Sequence, residues 1–234
     1  MIKVVSFKIC PFVQRVTALL EAKGIGYQVE YISLQDKPEW FLEISPHGQV
    51  PVLISENGTP IFESEAIVEY LEEAYPALQP ELPLEKKAEN RAWGYLASKN
   101  YLVQCGAQRS PSCDELEKRS AKLGQAFDKI ERRLTGSTYF EGNEAGTVDV
   151  AWLPLLHRAA IIEAHSGYDF LGVRPKLKAW QAALLKTGLA EKSVSPDFEE
   201  AFAGFYLSEE TYLGRGGKDE RDVVTSCCAP LGCC

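Results

Sequence analysis

The sequence predicts an α/β domain followed by an all-helical domain, on three observations. Up to Tyr75, apolar runs with strand and helix periods alternate in the order β-α-β-α-β-β-α. Pro76, Pro80 and Pro83 then punctuate the chain around Ala77-Leu78-Gln79. Beyond them the strand signal disappears and helical periodicity alone continues. A chain of 234 residues has room for one or two domains, and the expected division is 1–79, 84–213 and a tail over 214–234.

The first strand is the apolar run Ile2–Phe7, interrupted by Lys3. Helical spacing follows at Phe12, Val16, Leu19 and Leu20, and Gly24 is placed to stop that helix. Tyr27, Val29 and Tyr31 alternate with Gln28 and Glu30 as a second strand. Pro38 opens a short helix through Leu42, which Ser45-Pro46-His47-Gly48 breaks. Val50–Ile54 and Pro60–Phe62 form a hairpin about Asn57-Gly58, both of which tolerate positive φ. Ser64 is a good cap for a helix carrying Ile67, Leu71, Ala74 and Tyr75. A parallel pair followed by a hairpin, with helices on both faces, is a thioredoxin-like unit.

In the second half, helical patterns run over 85–101, 114–134, 147–162, 175–185 and 196–207. Gly146 takes the cap position before Asp149. Trp152, Leu155, Leu156 and Ala159 read as an inward stripe, and Phe198, Phe202 and Phe205 as one side of the last helix.

The net charge of −8 and the absence of a basic cluster argue against nucleic acid as a partner. No run of 18 or more apolar residues is present, so no membrane span is expected. The chain enters its first strand without the basic-then-apolar pattern of a secretory leader. Seven cysteines, an odd number, fit a reducing cytoplasm better than a disulfide framework. The three histidines have no metal-ligand spacing, and no metal is expected in the catalytic site.

The chemistry centres on Ile9-Cys10-Pro11-Phe12-Val13-Gln14-Arg15, where a strand ends and a helix begins. Proline is favoured at a first helical position, so Cys10 falls at the cap, facing unpaired N–H groups that favour negative charge. A thiol held there is expected to ionise more easily than free cysteine, in a range of roughly 3.5–7.5. A structural cysteine preceding a helix is the plain alternative.

These residues carry a resemblance. The first half resembles the glutathione-binding domain of cytosolic glutathione transferases, and the second half is similar to their helical domain. Cys10–Arg15, Lys37–Leu42 and Val50–Leu53 resemble the omega class, as do Pro175–Trp180 and Gly204–Leu207, and the chain is also similar to plant dehydroascorbate reductases. The resemblance implies glutathione as co-substrate, a homodimer, and a small electrophilic or oxidised second substrate. Cys10 would form a mixed disulfide with glutathione, beside Phe12 as a pocket residue. Val50, before a Pro51 that is cis in the family, would pair through its backbone with the cysteinyl part. Glu63 and Ser64 would hold the γ-glutamyl end, Lys37 would lie near the glycyl carboxylate, and Gln49 could assist by hydrogen bonding.

Two departures stand out. Val13 replaces the second cysteine of a CxxC, so resolution must come from another thiol. Gly146 stands where a cap serine is expected. Cys227, Cys228, Cys233 and Cys234 lack a counterpart in the family and are weak metal or redox candidates. The leading expectation is a glutathione-dependent thiol transferase, acting in deglutathionylation or dehydroascorbate reduction. The alternatives are a conjugating transferase and a non-enzymatic protein of the chloride intracellular channel type. Arg15, Glu21 and Lys23 make membrane insertion of the region after the motif unfavourable.

Overall fold

The structure is a computed structural model and describes residues 1–218. Cys227, Cys228, Cys233 and Cys234, the candidate tail ligands, lie outside the described residues. The elements are β1 (Ile2–Ser6), α1 (Pro11–Ala22), β2 (Tyr27–Tyr31), α2 (Glu39–Ile44), β3 (Val52–Ile54), β4 (Pro60–Phe62) and α3 (Ser64–Ala74). Then come α4 (Leu84–Gln108), α5 (Cys113–Arg133), α6 (Thr147–Ser166), α7 (Pro175–Lys186), α8 (Leu189–Lys192) and α9 (Phe198–Tyr206).

The sheet runs in the order β2-β1-β3-β4, with β1 parallel to β2 and the other pairs antiparallel. Successive residues of a strand face opposite sides. Val4 therefore joins the main core with α1 and α3, whereas Val5 packs with Phe41 and Val52 in a small second core. Phe41 is the one buried residue of α2, and burying such a side chain stabilises by about 1.5–3 kcal/mol. That anchor holds α2 on the face opposite α1.

Several boundaries differ from the sequence reading. Pro38 caps α2 rather than starting it, and β3 begins at Val52, after the cis Val50–Pro51 bond. Ser64 is the first residue of α3, not its cap; Glu63 occupies the cap with φ 67°. The one-turn helix α8 lacks the length needed for a periodic signal. In α9 the inward stripe is Phe198, Phe202 and Tyr206, each four residues from the next. Phe205 is exposed, beneath the guanidinium of Arg109, whose Cζ lies 4.9 Å from the ring centroid.

The helical domain is built around α6, whose residues 148–159 are all buried. Asp149 holds its N-terminus: the backbone N–H groups of Gly146 (2.8 Å) and Phe140 (3.0 Å) and the Trp180 indole N–H (2.6 Å) all donate to its carboxylate. A Cβ at 146 would lie 2.2 Å from the Gln79 side-chain oxygen, so a serine there would require the flexible Gln79 side chain of the linker to shift.

Gln14 and Glu65, the latter held by Arg15, join the two halves. The Gln14 carboxamide meets the His157 ring at 2.9 Å and accepts from Arg158. Arg158, buried in α6, also donates to the Ile9 carbonyl at 3.1 Å. Arg15 pairs with Glu65 at 3.2 Å, and the Ser98 hydroxyl of α4 donates to the same carboxylate at 2.6 Å. Burial opposes ionisation of Glu65, but Ser98 and Arg15 outweigh it and hold the carboxyl below its ordinary range.

Candidate active site

Cys10 caps α1 with extended backbone angles (φ −75°, ψ 121°), and Pro11 follows at the first turn, as the sequence indicates. Its thiol donates to the Val50 carbonyl at 3.9 Å, so the end of β1 and the approach to β3 meet at the sulfur. Beside this contact is a cavity of about 130 Å³ lined by Phe12, Gln49, Val50, Pro51, Glu63 and Ser64, with Ser45, His47, Phe62 and Leu102.

Each wall has a local cause. Phe12 is set by an edge-on contact with Tyr101 of α4, the centroids 5.0 Å apart. The 45–49 turn is pinned by Ser45, whose hydroxyl accepts from the Gln49 N–H (3.0 Å) and donates to the Gln49 carbonyl (2.9 Å). Glu63 enters α3 through a positive φ that non-glycine residues rarely adopt. This backbone turn brings the start of α3 to the cavity.

Lys37 stands outside the cavity lining; its ammonium lies over Gly48, 3.3 Å from where a Cβ would stand, one residue from Gln49. One expectation needs correction. The Cys10 thiol is not acidified. Burial pushes it up from an ordinary 9.0 to about 11, and the Val13 and Phe12 N–H groups and the Arg158 charge, which pull it down, are outweighed. The helix start is legible in the sequence; the packing that strips water from the sulfur is not. Alkylation of Cys10 by iodoacetamide in the glutathione-free protein should therefore rise about tenfold per pH unit above neutrality, because the thiolate is the nucleophile. Peptide mapping would contradict this if the rate reached a plateau below about pH 8.

Sequence reasoning missed Ser45, His47, Phe62 and Leu102. Ser45 belongs to a segment read as a helix breaker, and Leu102 joins the lining from the other half of the chain. A larger cavity of about 160 Å³ lies between α3 and α4. Its guanidinium groups are already paired, Arg91 with Glu69 at 2.8 Å and Arg15 with Glu65. Neither of these two cavities is lined by Cys10, which borders a third of about 30 Å³ beside β2 and Ser193–Ser195. The smaller of the two is the one lined by Val50, whose carbonyl accepts from the Cys10 thiol, and the chemistry therefore points to it. Among the described residues no cluster of three or more metal-ligating side chains occurs, and no helix is long and apolar enough to cross a membrane.

Glu63→Gly should relieve the positive φ and raise stability by about 1 kcal/mol. The same change removes a carboxylate from the cavity, so any ligand ammonium held there should bind more weakly. Denaturant melts and calorimetric titration with glutathione read the two effects separately.

Two family profiles match this chain: "Glutathione S-transferase, N-terminal domain" over residues 4–81 and "Glutathione S-transferase, C-terminal domain" over 114–183. The pig (Sus scrofa) protein described as glutathione S-transferase omega-1 is 36% identical over 215 residues, covering 88% of this chain and 86% of that one. Among solved structures, glutathione transferase Omega 3C from Trametes versicolor superposes with a TM-score of 0.69 at 26% identity, covering 83% of this chain and 89% of its own. A rice glutathione transferase solved with glutathione gives a TM-score of 0.75 at 23% identity, covering 90% and 97%, and shares the fold.

Proposed function

Because this chain belongs to the glutathione S-transferase family and is an omega-like glutathione transferase, we propose that Cys10 is its nucleophile and that the enzyme works through a Cys10–glutathione mixed disulfide. The observation that carries this reading is the Cys10 thiol at the start of α1, bonded to the Val50 carbonyl beside the cavity. In the resting enzyme Cys10 is a thiol; its small thiolate fraction is correspondingly nucleophilic, since nucleophilicity rises with thiol pKa.

The Cys10 thiolate attacks the glutathione sulfur of a glutathionylated substrate, the substrate thiol leaves, and the mixed disulfide remains. A glutathione thiolate then attacks it, releasing glutathione disulfide and regenerating Cys10. The Val50 backbone beside Pro51 pairs with the cysteinyl part of glutathione. The N-terminus of α3 at Ser64 receives the γ-glutamyl carboxylate, and Glu63 its ammonium. Gln49 assists, and Lys37 reaches the glycyl carboxylate from outside the cavity. Residues 1–79 form the glutathione domain and 84–213 the helical domain that closes the second-substrate side. Dehydroascorbate and other small oxidised or electrophilic molecules are the substrate class. The working form is a cytoplasmic homodimer, for which the exposed Phe62 on edge strand β4 offers apolar surface.

The test compares turnover of a small glutathione mixed disulfide with that of an aryl halide, both with glutathione. Faster turnover of the disulfide supports the proposal. Conjugation of the aryl halide without any disulfide exchange would overturn it.

A further inference from the structure

Arg158 of α6 is fully buried, and among the described residues no carboxylate lies within ion-pair distance of its guanidinium. Its hydrogen bonds go to neutral acceptors: the Ile9 carbonyl at 3.1 Å, the Pro154 carbonyl at 3.0 Å and the Gln14 side-chain oxygen. The Phe198 ring centroid lies 5.3 Å from Cζ, and the Nε–H has no acceptor. Burying a charge without a counter-charge is strongly unfavourable, so packing alone gives no reason for an arginine here.

The bonds converge on Cys10. Ile9 and Cys10 share a peptide bond, so a guanidinium held at the Ile9 carbonyl stands one peptide unit from Cys10. On the other side, the Gln14 N–H donates to the Cys10 carbonyl at 3.1 Å while the Gln14 side chain accepts from Arg158. One cation thus ties the residue before Cys10 to the residue one helical turn after it. The ionisable groups that face Arg158 are Cys10, Tyr101 and Cys105 of α4, and Tyr206 of α9. Burial pushes both tyrosines up and holds the adjacent His157 uncharged, and the Arg15–Glu65 pair, which faces Tyr101, compensates itself. A thiolate is the anion left for this cation to meet.

We propose that Arg158 is a positioning residue for Cys10: it holds the cap of α1 through Ile9 and Gln14, and its unpaired charge favours the Cys10 thiolate as that thiolate leaves. This rests on the mixed-disulfide reading given above. In the discharge step a glutathione thiolate attacks the glutathione sulfur of the adduct and a new S–S bond forms. The bond to Cys10 breaks with its electron pair on the Cys10 sulfur, which then takes a proton from solvent. A less basic thiolate leaves faster, and a fixed charge acts more strongly where water is excluded.

The test loads Cys10 with glutathione disulfide, mixes the adduct with reduced glutathione, and follows discharge by acid quench and intact mass. Arg158→Gln, neutral but still able to donate to Ile9, should discharge at least about tenfold more slowly, with KM for glutathione within about threefold of the parent. Arg158→Lys should recover to within about threefold. Iodoacetamide alkylation of Cys10 at about pH 9 separates charge from packing. Loss of charge should slow it about threefold, because the fall in thiolate outweighs the gain in nucleophilicity, whereas loosened packing would expose the sulfur and speed it. If Arg158→Gln does not fold, Gln14→Glu sets a carboxylate against the guanidinium, and its soluble fraction should show the same two effects. A folded Arg158→Gln, or in its place Gln14→Glu, that discharges and alkylates like the parent would overturn the role of Arg158 and leave the mixed-disulfide reading intact. So would faster alkylation, or an Arg158→Lys variant as slow as Arg158→Gln. Failure of the parent to form a one-glutathione adduct at Cys10 would overturn both.

Discussion

Cys10→Ala should reduce glutathione-dependent disulfide reduction by at least about three orders of magnitude, while glutathione still binds. The reason lies in how the site is divided. The cavity walls Phe12, Gln49, Val50, Pro51, Glu63 and Ser64 come from the β1–α1 junction, the 45–51 segment and the start of α3, and none of them depends on the sulfur for its position. Phe12 is held by Tyr101 and the 45–49 turn by Ser45. Truncation at Cβ removes the reacting atom and a long contact to the Val50 carbonyl, and little else. Stability should change by less than about 1 kcal/mol, since a single neutral hydrogen bond contributes about that much. Steady-state turnover, glutathione binding by calorimetry and a thermal melt check the three parts. Full turnover by the variant would remove Cys10 from the mechanism.

Asp149→Ala should cost about 3–5 kcal/mol of stability, because three buried donors would be left without an acceptor at about 1–3 kcal/mol each. Those donors are the Gly146 and Phe140 N–H groups and the Trp180 indole N–H. Burial raises the Asp149 pKa against the pull of these same hydrogen bonds. The sign follows: its ionised form is a cost to the fold, so its contribution is greatest below the ordinary carboxylate range and falls as pH rises through the elevated value. Asp149→Asn should lose less, keeping an oxygen for Phe140 and Trp180 while presenting an amino group to Gly146. Urea melts of the two variants against the parent protein test the order. Equal losses would show that charge, not acceptor geometry, holds the start of α6.

Most of the sheet was legible because the strand period and the Asn57-Gly58 turn are local signals. The cap at Cys10–Pro11 was legible for the same reason, whereas the inward stripe read for α6 understates it, because residues 148–159 are buried on every side. What the sequence concealed depends on distant neighbours. Phe205 and Tyr206 both read as apolar at the end of α9, but only packing against Phe202 selects Tyr206. Ser64 is a strong cap by residue type, yet the chain enters α3 through Glu63 at positive φ, for which residue type carries no signal. Leu102 belongs to the cavity only because the two halves are docked. The basicity of Cys10 was misjudged because helix-end N–H groups can be inferred from a motif, whereas loss of water around a sulfur depends on the whole packed surface.

Gln14 and Arg15, at the end of the sulfur-bearing motif, serve the junction of the two halves, Gln14 directly and Arg15 by holding Glu65 for Ser98. A chimera exchanging either half with that of a distant relative would break the Gln14–Arg158 and Glu65–Ser98 seams at once. Inherited or engineered changes at these two positions would then be recorded as catalytic defects in an activity screen, although their first effect is on assembly of the molecule. Measuring soluble yield beside turnover tells the two apart.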